Sequence, residues 1–146
     1  MESLLTLLPN VKRAGVHRSH IDAAEITAAA KTLGLQVFKI DLAHTRGKAG
    51  LLKQLAAALR FPSYFGQNWD AANDCLTDLS WIDGKGWVLI LLQCDVFAAA
   101  DQEVFDAAME VLSAVAESWR ERKKPFWVFV HGKADWRPKL AEIINK

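Results

Sequence analysis

The chain has 146 residues, 51% of them apolar and 24% charged, and a formal net charge of +1. That length and composition suit one domain with its own core and exclude an intrinsically disordered chain. No apolar run approaches 18 residues, and residues 1–9 lack the basic start of a secretion signal, so neither a membrane span nor export is expected and the cytoplasm is the expected location.

Short strand-like apolar runs alternate with longer helical ones. A first, short strand is read at residues 13–18, around Gly15 and Val16. Residues 21–33 read as a helix, with Asp22 as N-cap, alanines through the middle, and Gly34 where a C′ glycine belongs. Residues 35–42 alternate partly and are β-branched enough for a strand. Residues 47–60 read as a helix because Leu51, Leu52, Leu55 and Leu59 form one stripe. Pro62 ends it, and residues 62–66 form a compact loop. Asn68 is a good N-cap for a short helix reaching about Leu79. The unbroken apolar run at 87–92 is what a central strand covered on both faces requires. Asp101 caps a long helix to about Lys123, with Val104, Ala108, Val111, Leu112, Val115 and Trp119 in its stripe, and Pro125 follows. Residues 126–130 are another buried strand, and 135–146 read as a short closing helix. Strands separated by helices imply parallel pairing. The predicted class is α/β, a small parallel sheet of three strands, or four if 13–18 joins, packed against helices.

The net charge hides an asymmetry. Residues 61–110 hold nine acids and one base, Lys85, so that segment carries −8 and the other 96 residues +9. A localised acidic surface facing a basic partner fits this better than a globally basic nucleic-acid binder.

Within the acidic segment, Asp70, Asp74 and Asp78 are four residues apart and stack along one helical face, with Asn73 and Thr77 beside them. Like charges at that spacing cost about 0.2–0.5 kcal/mol per pair, so stability alone does not select them. Asp70 lies in the first turn, where the helix dipole explains an acid without any function. Asp74 and Asp78 lie beyond that turn. The trio reads either as a solvated face or as a binding face. A metal site is disfavoured, because a ladder of this kind supplies too few oxygens for a hard cation. Tyr64, Phe65 and Trp69 flank the acids; Phe65 and Leu76 are expected to face inward and Tyr64 to sit on the rim.

The run Pro-x-Tyr-Phe-Gly-x-Asn-x-Asp-Ala-x-x-Asp-Cys-Leu at residues 62–76 resembles the signature of the barstar family, intracellular inhibitors of secreted bacterial ribonucleases. The resemblance spans roughly 35–132 in element order, leaving 1–34 as an N-terminal extension and 133–146 as a tail of a single domain. It implies a three-stranded parallel sheet against helices. It implies that Asp74 is the main anchor, taking the place of a substrate phosphate in the ribonuclease site, and that Asp70 is a second interface aspartate. Tyr64 corresponds to the rim aromatic, and Asn68, Trp69, Ala71 and Thr77 to further contacts. Gly66 corresponds to the loop glycine, expected to supply a special backbone angle. Asn73 and Asp78 complete the expected partner-binding set. The implied partner is a basic ribonuclease, secreted or toxin-type, with this chain as a cytoplasmic inhibitor and antitoxin. A carboxylate on a rigid helix can replace a phosphate oxygen and accept charge-assisted bonds from the cations of such a site.

Other chemistry is poorly represented. No nucleophile elbow, zinc-protease, phosphate-loop or dinucleotide motif occurs, so no enzymatic activity, cofactor or metal is expected. Cys75 and Cys94 are expected as reduced thiols, Cys75 packed within the motif helix and Cys94 partly exposed at a strand's end, with a catalytic role disfavoured for both. His17, His20, His44 and His131 are singletons. The alternative reading is a nucleic-acid or regulatory module that uses Arg120, Arg122, Lys123, Lys124, Lys133, Arg137 and Lys139 as one basic C-terminal face. No exposed aromatics are interleaved with those residues, so nucleic acid is not the expected partner.

Overall fold

The computed structural model describes residues 3–62, 66–140 and the backbone of 142–143. In chain order these form α1 (Leu4–Leu7), β1 (Val16–Ser19), α2 (Ala23–Thr32), β2 (Gln36–Asp41), α3 (Gly47–Ala58), α4 (Trp69–Asp78), β3 (Trp87–Leu92), α5 (Cys94–Ala100), α6 (Gln102–Glu121), β4 (Phe126–Val130) and β5 (Glu142–Ile143).

Local chemistry sets most of the boundaries. Asp22 accepts from the Ala24 N–H and Asp101 from the Val104 N–H, as N-caps should. Three helices end in the same hydrogen-bonded turn. In α2, Leu35 N–H reaches Ala30 and Gly34 N–H reaches Lys31; the matching bonds close α3 at Phe61–Ala56 and α6 at Lys124–Trp119. The turn needs a left-handed residue. Gly34 supplies it after α2, but Arg60 (φ 53°) and Lys123 (φ 64°) take it after α3 and α6.

All five strands are parallel, in the order β2-β3-β4-β1-β5. The sheet is therefore wider than the three or four strands expected, because the last residues return to pair Arg18 with Glu142 and Ser19 with Ile143. The closing helix expected at 135–146 is absent among the described residues. A turn at 134–135, irregular chain and a bend at 139–140 take its place, and β5 follows. Pro138 explains this: its ring disfavours helical geometry at Arg137 and it donates no backbone bond. Two short helices, α1 and α5, were not anticipated.

The sheet is buried on both faces, as the apolar run of β3 required. Trp87, Leu89 and Leu91 of β3 face the larger core with Phe126, Val128 and Val130, where α3, α4, α5 and α6 cover them. Val88 and Ile90 face the other way with Trp127 and Phe129, under Leu4, Leu7, Ile26 and Ala30 of α1 and α2. The Trp127 and Phe129 rings stack at 4° with centroids 5.4 Å apart, and the Trp127 indole donates to the Leu8 carbonyl at 2.9 Å. The N-terminal extension thus supplies a strand inside the sheet and the layer over its second face.

Candidate functional site

Helix α4 carries the acidic ladder. Its burial pattern follows the helical period: Ala72, Cys75 and Leu76 are buried, Ala71, Asn73 and Thr77 lie half-buried on the flanks, and Asp70, Asp74 and Asp78 are exposed. Asn68 caps the start, its side-chain oxygen accepting from the Ala71 N–H at 2.7 Å. Among the described residues none of the three carboxylates has a hydrogen bond or an ion pair. Three like charges therefore line a solvent-facing ridge with no internal counter-ion to satisfy them.

The ridge is held rigidly from behind. The Trp119 indole of α6 donates to the Leu76 carbonyl at 2.8 Å, and the Trp81 indole donates to the Leu59 carbonyl at 2.9 Å. Trp69 is half-buried and packs against the main core. At the far end Leu79 is buried in a left-handed conformation, φ 47°, with its N–H on the Cys75 carbonyl. Thr77 directs its hydroxyl back to the Asn73 carbonyl at 2.7 Å, committing that proton to the helix.

The loop before α4 corrects one expectation. Gly66 has no left-handed φ; the positive angle falls on Gln67, φ 51°. A Cβ at Gly66 would come to 3.3 Å from the capping Asn68 amide, which would have to give by a few tenths of an ångström, and to an ordinary 3.7 Å from Ala71 Cβ. Gly66, Gln67 and Asn68 are all exposed beside the ridge. Tyr64, expected on the rim, and Phe65, expected inward, lie outside the described residues.

The two thiols are inert. Burial pushes the Cys75 thiol up, and the neighbouring charges of Asp74 and Asp78 add to that. Cys94 is fully buried rather than partly exposed, gives its S–H to the Leu91 carbonyl at 3.3 Å, and is likewise pushed up by burial. The fold brings His131 beside Cys94, whose backbone N–H donates to the His131 carbonyl at 2.9 Å, a juxtaposition the sequence did not reveal. With the thiol buried and protonated, it is no nucleophile.

The basic C-terminal set does not form one face. Arg120, Arg122, Lys123 and Lys124 precede β4, Lys133 follows it at the other end of the sheet, and Arg137 and Lys139 lie on the return toward β5 beside the middle of α6. One positioning residue went unrecognised in the sequence. Trp119 was readable as core, and the need of a buried indole N–H for an acceptor was the signal that it also holds another element.

Fold and helix together define a parallel α/β protein that presents a fixed acidic ridge with no counter-ion among the described residues. The Barstar (barnase inhibitor) family profile matches residues 35–131, which include β2 through β4 and the whole of α4. The chain belongs to the barstar family. No curated protein matches it at a significant level.

Proposed function

We propose that this chain is a cytoplasmic inhibitor of a basic ribonuclease, and the antitoxin of a toxin-type one, which it blocks by laying the α4 ridge across the active site. One observation carries the reading: Asp70 and Asp74 project from a capped, back-braced helix and have no cation partner among the described residues. A ribonuclease site is lined with Lys, Arg and His that hold phosphates. Asp74 takes a phosphate's place there, Asp70 binds alongside, and the exposed Gly66–Asn68 turn together with Tyr64 closes the rim. Asn73, Ala71 and Thr77, on the flanks of the ridge, set its fit, and Asp78 adds field more than contact. Because the helix is already ordered, little conformational entropy is lost on docking. Complementary charge accelerates encounter and makes it salt-dependent. The family membership supports an inhibitor rather than an enzyme, as do the two protonated thiols. No helix among the described residues is long and apolar enough to cross a membrane.

The test is titration of a barnase-type ribonuclease with a fluorogenic RNA substrate. Asp74→Ala is expected to weaken inhibition by about 3–5 kcal/mol, the cost of stranding desolvated charge. Asp78→Ala is expected to cost under about 1 kcal/mol, as an exposed charge does. Equal losses from the two substitutions, or full inhibition by Asp74→Ala, overturn the assignment.

A further inference from the structure

In an all-parallel sheet every strand begins at the same end, so the turns that precede the strands come together wherever they lie in sequence. Here those turns are cationic. Lys12 and Arg13 precede β1, Lys85 precedes β3, and Arg122 and Lys123 precede β4; all five are exposed. The strands β3, β4 and β1 are neighbours in the sheet, so with about 4.8 Å between adjacent strands the three turns form a row roughly 10 Å across.

Two further cations fasten the row together. The Arg120 Nε–H donates to the Val11 carbonyl at 3.3 Å and its guanidinium also reaches the Ala14 carbonyl, binding α6 to the turn before β1. Lys124 donates to the Gly84 carbonyl at 3.0 Å, binding the turn before β4 to that before β3. Arg122 lies over the Trp119 ring at 3.6 Å and donates to the Ser118 hydroxyl at 3.1 Å, so its planar head is held in place. Glu117 is taken up by Arg120. Asp83 and Glu121 are the other acids carried by these turns.

We propose that this cationic row binds single-stranded RNA through its phosphates. The cations occur one or two per turn along a line and do not converge on a point, which suits a chain of phosphates better than a lone anion. Neither Leu5 nor Val96, the two large apolar side chains exposed among the described residues, belongs to these turns, so the row has no wedge to insert into a membrane. No exposed aromatic stands among the cations to stack bases. Recognition is therefore electrostatic and sequence-independent. The proposal is independent of the ribonuclease reading, which uses α4 alone.

Fluorescence anisotropy of a labelled oligouridylate with the full chain tests it, at salt concentrations from about 50 to about 200 mM. The expected result is binding that weakens steeply with salt, and a slope of log K against log salt that is reduced by about 1.4 in Lys12→Glu/Lys123→Glu, since each lost single-strand phosphate contact removes about 0.7. Lys48→Glu/Lys133→Glu, at positions that follow β2 and β4 at the other end of the sheet, should leave that slope unchanged. Ribonuclease inhibition measured on the same variants should stay at the wild-type level, which separates failure here from failure of the inhibitor reading. No wild-type binding at the lowest salt overturns the proposal, as does binding that both double variants retain equally. Tighter binding to phosphatidylserine vesicles than to RNA, or salt-sensitive self-association that occupies the row, also overturns it.

Discussion

Trp119 and Leu76 are 43 residues apart, yet the indole N–H of one caps the carbonyl of the other at 2.8 Å. That carbonyl belongs to the last turn of α4, where backbone acceptors have no partner within the helix. The bond therefore finishes the acidic helix from outside and fixes its C-terminal turn to α6. Trp119→Phe keeps the ring and loses the donor. It should lower stability by about 1–2 kcal/mol, the cost of stranding one buried acceptor, read as a lower urea midpoint. An unchanged midpoint would show that the bond does not contribute.

The second sheet face predicts what residues 1–34 do. Without α1 and α2, Val88, Ile90, Trp127 and Phe129 would face water, and β1 would be missing from between β4 and β5. A fragment starting at residue 35, although it holds the whole family match, should bind a hydrophobic dye and lose cooperative unfolding. A fragment that melts as sharply as the full chain would contradict this.

Stability should fall on the acid side of neutrality. His17 is half-buried against Trp127, with ring centroids 5.4 Å apart. Its Nε2–H donates to the Arg13 carbonyl at 2.8 Å, and Nδ1 is buried without a partner. Burial outweighs the hydrogen bond to the Arg13 carbonyl, which favours the protonated ring, and with a smaller push from the Arg13 and Arg120 charges it holds the pKa below the ordinary 6.5; burial does the same to His131. The unfolded chain thus binds protons that the folded one refuses. The stabilisation is complete above pH 6.5 and is lost as the pH drops from there through the lowered native value. Thermal midpoints measured between about pH 7.5 and pH 5 should fall with pH, and His17→Gln should flatten the fall. A midpoint independent of pH in this window would refute it.

Arg60 and Lys123 occupy the left-handed position of helix-ending turns where glycine avoids a penalty of about 1–2 kcal/mol. Glycine also frees the unfolded chain, which offsets part of the gain. Arg60→Gly and Lys123→Gly should each raise stability by about 0.5–1 kcal/mol, measured by denaturant titration. Loss of stability in both would mean that the side chains contribute more than the strain costs.

What the sequence revealed and what it concealed divide along range. The Asn68 cap and the four-residue aspartate spacing are local chemistry, and the structure places them as read. The β3 and β4 runs announced burial on both faces. The partners of β1 were not legible, because a four-residue strand holding Arg18 and Ser19 carries little pattern and both its neighbours come from the other end of the chain. Helix α5 begins after Gln93 in a left-handed conformation with no side-chain cap, so no start signal marked it. Trp136, Leu140 and Ile143 are apolar at a helical spacing, but Pro138 between them is incompatible with a helix through Arg137. At Gly66 the expected left-handed angle falls one residue later, on Gln67.

The place of β1 governs when this protein can mature. Val16 pairs with Val128 and Arg18 with Glu142, partners 112 and 124 positions downstream. A ribosome therefore releases the acidic helix long before the strand made first can find either neighbour. Such long-range pairing is slow and leaves apolar edges open meanwhile. The sheet can close only once residues 128 and 142 have been made, and the strand made first waits for the last.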